Sequence, residues 1–207
     1  MAVIFLSALA VGFSGAMMPG PLLTYTVKQA LNTGPQVGLI IAAGHALLEL
    51  VLITLIFLGF DLILQSPIAQ TVIGIIGGAL LIYMGAEMIV SALKNKVKLQ
   101  LTQDSAVKRN LFFSGAAISA ANPYFLLWWA IIGLGFLLQA YKSFGILGIA
   151  SFYAGHIGAD FLWYGMISGV VGKTRKFIKE NLYRIIIIIL GCLLIFFGGN
   201  FFYKALW

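Results

Sequence analysis

Six long apolar segments, separated by shorter polar connections, make up most of this 207-residue chain. A helix needs roughly 20 predominantly apolar residues to cross the hydrocarbon core of a bilayer, and each segment is longer than that. The pattern therefore predicts an all-α integral membrane protein with six transmembrane helices. The predicted helices cover about residues 2–31, 35–60, 67–93, 110–139, 144–171 and 182–206.

Four motifs occur once in each half of the chain, in the same order. They are Phe-Ser-Gly-Ala at 13–16 and 113–116, a proline break at 19–21 and 122–123, Gly-His followed by an acid at 44–49 and 155–160, and Gly-x-Leu-Leu-Ile at 78–85 and 191–198. Each half holds three predicted helices, and an odd number of spans turns the two halves in opposite directions across a bilayer. The sequence therefore predicts two inverted three-helix repeats, an architecture found in many secondary transporters.

Composition leaves little of the chain for a water-soluble domain. Apolar residues make up 61% of the sequence and charged residues 9%, whereas charged residues form roughly 25% of a typical soluble domain. The longest polar connection joins the two halves. We therefore predict a first repeat over 1–93, a basic linker over 94–110 and a second repeat over 111–207.

The positive charge is concentrated on one predicted side of the membrane. Eleven of the 13 Lys and Arg residues lie in or beside the first turn-around and the connections 94–110 and 172–181, which six spans place on the same side. The positive-inside rule makes that side cytoplasmic, so we expect both termini outside a plasma membrane. Basic residues at a membrane surface indicate topology, and no nucleic-acid partner is expected despite the net charge of +7.

Proline interrupts two apolar segments at matching places. Pro19, Gly20 and Pro21 lie inside the first segment, and Asn122 and Pro123 lie inside the fourth. Proline removes a backbone donor, and unpaired backbone groups within a membrane are tolerated only beside protein or a wet cavity. A simple kink would explain one isolated proline. A repeated break favours a substrate site, where half-helix N-termini would face an anionic group such as a carboxylate.

Each half also carries an acid near the middle of an apolar segment. Glu49 follows His45 by four residues, and Asp160 follows His156 by four, so each pair shares one helix face. Static hydrogen bonds between helices are one interpretation. We favour proton coupling, with the histidines tuning the acids, because ionisable groups at this depth are rare and usually functional.

Other polar and aromatic residues receive supporting roles. Glu87 lies late in the third segment, toward the basic side, and is predicted to be a gate or a supporting contact. Aromatic residues lie near the expected membrane interfaces, and most of them are predicted to be interfacial anchors: Trp128, Trp129, Tyr141, Tyr203 and Trp207.

Together these motifs resemble the lysine-exporter (LysE-type) translocator family. The resemblance covers essentially the whole chain, with the Pro-Gly-Pro at 19–21 as its most specific part and Asn122-Pro123 as support. It implies export of amino acids or related small metabolites from the cytoplasm, driven by protons or membrane potential. It assigns the substrate site to these same motif positions.

The predicted function is that of a secondary active exporter of amino acids coupled to proton uptake. The alternative is a divalent metal cation exporter of the same superfamily, with His45, Glu49, His156 and Asp160 as ligands. No nucleophile–base constellation is evident, so no enzyme activity is predicted. We expect a small-molecule substrate and the lipid bilayer as partners and no cofactor. Transporters of this size often form homodimers.

Overall fold

A computed structural model describes residues 1–18, 20–64, 66–94, 105–177 and 179–206, and every regular element within them is helical. The elements are α1 (Ala2–Ala16), α2 (Pro21–Thr33), α3 (Val37–Leu55), a π-helical turn (Ile56–Phe60), α4 (Asp61–Leu64), α5 (Pro67–Leu93), α6 (Ser105–Ala120), α7 (Pro123–Trp128), a second π-helical turn (Trp129–Gly133), α8 (Leu134–Thr174), a 3-10 turn (Arg175–Phe177) and α9 (Glu180–Leu206). The predicted all-α class is confirmed. Pro19 and residues 95–104 of the predicted linker lie outside the described residues.

Several helical stretches are long and apolar enough to cross a bilayer. Within the described ranges there are four, and a fifth if α1 and α2, bent by 78° relative to each other, form one span. The four are Val37–Phe60, Pro67–Leu93, Pro123–Thr174 and Glu180–Tyr203. The chain is therefore a multi-pass membrane protein, and the count of six spans stays a prediction.

One of these stretches is too long to be a single straight span. Pro123–Thr174 contains 52 residues and would extend about 78 Å as a straight helix. Helical geometry fails at Phe144 and Gly145, where Gly145 has a φ of 58°. A Cβ on Gly148 would collide with the carbonyl of Ala140, so the chain folds back on itself there. The reversal coincides with the predicted boundary between the fourth and fifth segments.

The two proline breaks separate α1 from α2 and α6 from α7. Pro21 and Pro123 each occupy the first turn of the helix that follows, a position where the missing N–H costs nothing. Steric clash with the proline ring disfavours helical geometry at the preceding residue. Gly20 and Asn122 accordingly have extended backbones, with ψ values of −171° and 112°. The helices therefore stop and restart where the sequence predicts.

The main helix contacts join the two halves of the chain. α5 packs against α9, α1 against α8, and α3 against both α6 and α8. The contact between α5 and α9 is a crossing at glycines, which we call the glycine crossing. A Cβ on Gly78 would lie 2.8 Å from the Gly198 carbonyl, and one on Gly191 would lie 2.8 Å from the Gly85 carbonyl. Small residues allow this approach where no hydrophobic effect drives association.

The fold has an apolar exterior, and its mainly apolar interior contains a small set of buried polar residues. Leu58, Ile68 and Ile146 are each more than 75% exposed, as expected of side chains that face lipid. Polar residues are instead buried between the helices: Thr24, Thr26, His45, Glu49, Ser119, His156, Asp160, Ser168 and Arg175. These buried polar side chains come from both halves of the chain.

Candidate functional site

Five of the buried polar residues line a cavity between the two broken segments and helices α3 and α8: His45, Glu49, Ser119, His156 and Asp160. It contains about 50 Å³ of water-accessible space. Seven of the residues predicted from the sequence line it together: Gly20, Pro21, His45, Glu49, Asn122, His156 and Asp160. Two distant breaks and two distant histidine–acid pairs therefore contribute to one site.

Glu49 lies at the centre of a hydrogen-bond network and is only 1% exposed. Its Oε1 accepts hydrogen bonds from His156 Nε2 at 2.9 Å and from Trp129 Nε1 at 3.2 Å. His45 Nε2 lies 3.4 Å from the same oxygen. The other carboxylate oxygen, Oε2, has no hydrogen-bond partner among the described residues. One oxygen of Glu49 is thus fixed from the second half of the chain, and the other is available.

The orientation of His45 is set by Ser119. The Ser119 hydroxyl donates to the Gly115 carbonyl at 2.7 Å, and its oxygen lies 2.8 Å from His45 Nδ1. A hydroxyl has one hydrogen, so here the oxygen accepts from Nδ1–H. His45 Nε2 therefore faces the acids, 3.8 Å from Asp160 Oδ2.

Asp160 is buried, but one of its carboxylate oxygens has no hydrogen-bond donor among the described residues. It is 3% exposed, and its Oδ2 has no hydrogen-bond partner in the part of the chain that the structure describes. A buried carboxylate oxygen without a donor is costly, since it has lost its hydration and gained little in exchange. Asp160 is therefore the acid best placed to accept a proton or a cationic group.

Aromatic rings enclose the two histidines. Trp128 and Phe152 stack on the His156 ring at 4.6 Å and 5.9 Å between centroids, and Phe125 meets His45 edge-on at 5.3 Å. The prediction that Trp128 and Trp129 are interfacial anchors is wrong. They are 5% and 0% exposed and hold the site, because their N–H groups find partners inside the protein.

The two helix breaks lie close together at the cavity but are capped differently. Asn122 Oδ1 accepts from the Tyr124 N–H at 3.1 Å and caps α7. Gly20, at the start of α2, makes no side-chain cap. The Tyr124 hydroxyl lies 3.4 Å from the Ser14 carbonyl near the end of α1. The N-terminus of α2 is consequently the less satisfied of the two.

A second, larger opening lies next to the cavity. This outer crevice contains about 460 Å³ and is lined mainly by α5, α7 and α9. Five residues border both spaces and form what we call the partition: Met18, Tyr124, Trp128, Phe197 and Phe201. Movement of these side chains would join the cavity to the crevice.

Two predicted site residues lie away from the cavity lining. Pro123 packs its ring against Gly77 of α5, where a Cβ would be 2.5 Å away. Glu87 is exposed and accepts from the Ser91 hydroxyl at 3.2 Å. Ser119 and Trp129 contact the ionisable residues of the site, and the sequence analysis did not predict either contact. The position of Ser119, one helical turn before the Asn-Pro break, could have indicated that it belongs to the site.

Known proteins resemble this chain over most of its length. Residues 13–205 match the family model described as LysE type translocator. The chain is 23% identical over 203 residues to "Putative amino acid efflux protein YcgF" of Bacillus subtilis, covering 98% of this chain and 97% of that protein. It is 25% identical over 178 residues to "Chemotactic transduction protein ChpE" of Pseudomonas aeruginosa, covering 85% and 86%.

No solved structure gives a significant match. The family match, however, covers nearly the whole chain and confirms the resemblance seen in its motifs. The protein belongs to the LysE type translocator family and is a membrane-embedded transporter of that family.

Proposed function

We propose that the protein exports amino acids or related small metabolites from the cytoplasm in exchange for protons. The observation that carries this proposal is the convergence of both helix breaks and both histidine–acid pairs on one cavity. The name of the Bacillus subtilis relative, an amino acid efflux protein, is consistent with it.

The substrate carboxylate would bind at the start of α2. Gly20 leaves the first turn of α2 without a side-chain cap, so its N–H groups and positive dipole end can face an anion. The substrate ammonium would then approach the acids on α3 and α8. Gly20, Pro21 and Asn122 would shape this end of the site, and Pro123 would act through its contact with α5. The sequence assigns Pro19 to the same substrate-binding break.

Glu49 and Asp160 would take up and release the coupling protons, with His45 and His156 as their neighbours. All four are buried, and their contacts at 2.9 to 3.8 Å allow protons to pass between them. A proton bound from outside would neutralise an acid and weaken its hold on the substrate ammonium. Glu87, outside the lining, would support α5.

Transport would proceed by alternating access between two inverted repeats, residues 1–93 and 111–207. Rocking one repeat against the other would open the partition toward the outer crevice on one side and close the cytoplasmic side. The glycine crossing supports this assignment, because its contacts exchange positions when the repeats are interchanged.

Flux from proteoliposomes tests the proposal. Vesicles holding the purified protein would be loaded with a panel of amino acids, placed in a proton gradient, and their released contents identified by mass. We expect amino acid efflux that disappears with Asp160→Asn and persists with Glu87→Gln. Absence of efflux for every amino acid and related metabolite would overturn the proposal.

Divalent cation export is the second candidate function. It is favoured by one observation, namely that His45, Glu49 and Asp160 offer ligand atoms within 4.8 Å of one another. Loading the same vesicles with divalent cations separates the two functions. Metal efflux without amino acid efflux would replace the first proposal with the second.

The proposed orientation places both termini outside the cell and the connections 94–110 and 172–181 in the cytoplasm. Cysteine labelling tests it in a Cys192→Ala background, because Cys192 is a free cysteine. A membrane-impermeant reagent applied to intact cells should label Ala2→Cys and leave Lys96→Cys unlabelled. The reverse pattern would invert the orientation.

A further inference from the structure

Three ionisable residues direct ligand atoms at one small volume. His45 Nε2 lies 3.4 Å from Glu49 Oε1 and 3.8 Å from Asp160 Oδ2. Nitrogen and oxygen ligands about 2.1 Å from a tetrahedral ion are about 3.4 Å apart. One separation already has this value, and the other exceeds it by only a few tenths of an ångström.

Other side chains hold these ligands in the orientation that a metal requires. The Ser119 hydroxyl oxygen accepts a hydrogen bond from His45 Nδ1–H, so Nε2 is the nitrogen that faces the acids. His156 and Trp129 donate to one oxygen of Glu49. Hydrogen bonds of this kind fix the tautomer of a ligating histidine and the direction of a ligating carboxylate.

The same volume contains unsatisfied negative groups. Glu49 Oε2 and Asp160 Oδ2 are buried, and neither has a hydrogen-bond partner within the described ranges. Because its Nδ1–H donates to Ser119, His45 directs Nε2 toward two carboxylates. A positive charge at Nε2, supplied by a proton or by a bound cation, offsets the two negative groups.

We propose that His45, Glu49 and Asp160 form a reversible binding site for one divalent transition-metal ion of the Zn²⁺ class, with water as the fourth ligand. Imidazole and carboxylate ligands suit such ions. His45 and Glu49 are on α3 and Asp160 is on α8, so the ion would link the two halves of the chain. The link would stop their relative movement and inhibit export, a consequence that rests on the proposed function.

Zn²⁺ calorimetry on the purified full-length protein in detergent tests the site directly. We expect one ion per chain for the wild type and for Glu87→Gln, and no specific binding for His45→Gln or Asp160→Asn. Ser119→Ala, which keeps all three ligands, should weaken binding about 10- to 100-fold. Co²⁺ in place of Zn²⁺ should give a visible absorption spectrum that reports the coordination of the ion.

Each variant would be checked for monodisperse elution, and Ser119→Ala keeps the test informative if a ligand variant fails to fold. Absence of Zn²⁺ binding by the folded wild type would overturn the site, as would equal binding by all the variants.

Inhibition is measured separately, as amino acid efflux with and without saturating Zn²⁺. Efflux untouched by Zn²⁺ would overturn the inhibitory role alone. Absence of efflux without Zn²⁺ would instead count against the proposed function.

Discussion

The two halves of the protein contribute the same pair of residue types to the cavity, but the two acids are held differently. Glu49 accepts hydrogen bonds from His156 and Trp129, both in the second half. Asp160 Oδ2 has no comparable donor among the described residues. A repeat in sequence therefore does not make two equivalent sites, since each acid is completed by whatever the opposite half places beside it.

The helix breaks differ in the same way. The second break is capped by its own Asn122, whereas Gly20 provides no cap at the first. In each motif, one copy makes more hydrogen bonds within the protein than the other. The copies with fewer hydrogen bonds are the α2 N-terminus, which suits an anion, and Asp160, which suits a cation. An amino acid zwitterion carries both groups.

The largest expected effect is on transport, and it is the same for both acids. Glu49→Gln and Asp160→Asn should each abolish efflux driven by a proton gradient, because neither variant can exchange a proton at that position. The measurement is the initial rate from proteoliposomes with equal amounts of inserted protein. Unchanged gradient-driven rates in both variants would remove the carboxylates from the mechanism.

Stability should then distinguish the two acids. Glu49→Gln weakens two hydrogen bonds to a charged acceptor, which contribute about 1.5–3 kcal/mol each, so we expect a loss of about 3 kcal/mol. Asp160→Asn removes a poorly satisfied charge and should change stability by less than about 1 kcal/mol. Thermal unfolding in detergent with a metal chelator measures the difference. An equal or larger loss for Asp160→Asn would contradict the contrast drawn between them.

The two breaks should differ by a smaller amount. Asn122→Ala removes the cap of α7 and should cost about 1 kcal/mol. Gly20→Ala removes no cap, and its new Cβ would meet its nearest neighbours at 3.8 Å, an ordinary contact. We expect the free energy of unfolding of Gly20→Ala to lie within about 0.5 kcal/mol of the wild-type value. If Gly20→Ala unfolded at a lower temperature than Asn122→Ala, the assignment of the caps would be wrong.

The smallest expected effect belongs to Tyr124, whose hydroxyl connects the two breaks. Tyr124→Phe removes a long hydrogen bond of 3.4 Å to the Ser14 carbonyl and should cost about 0.5 kcal/mol. Thermal unfolding against the wild type checks this, with Tyr203→Phe, an exposed tyrosine, as the matched control. A loss several times larger than that of Tyr203→Phe would show that the hydroxyl supports the site.

The sequence predicts the helical class and most of the cavity, because strong local signals carry both. Long apolar runs require helices in a membrane, and prolines or acids inside such runs are costly unless they face protein or a wet cavity. The residue types alone therefore indicate Gly20, Glu49 and Asp160 as members of an interior site.

What the sequence did not predict depends on partners far along the chain. Trp129 is 80 residues from Glu49, and nothing local indicates that its N–H donates to that acid. Ser119 is 74 residues from His45. The ring of Pro123 packs on Gly77, a contact that only the arrangement of the helices decides. Local sequence patterns therefore predict where the helices are interrupted, whereas the partners of each side chain depend on how the helices pack.

The glycine crossing has a consequence for how the protein is made. Gly78 and Gly85 on α5 are covered by Gly198 and Gly191 on α9, which is synthesised well after α5. Until α9 enters the bilayer, the backbone of α5 has no partner at this contact. This contact can therefore form only after α9 has been synthesised, and a truncation before residue 191 should leave α5 exposed to quality-control proteases.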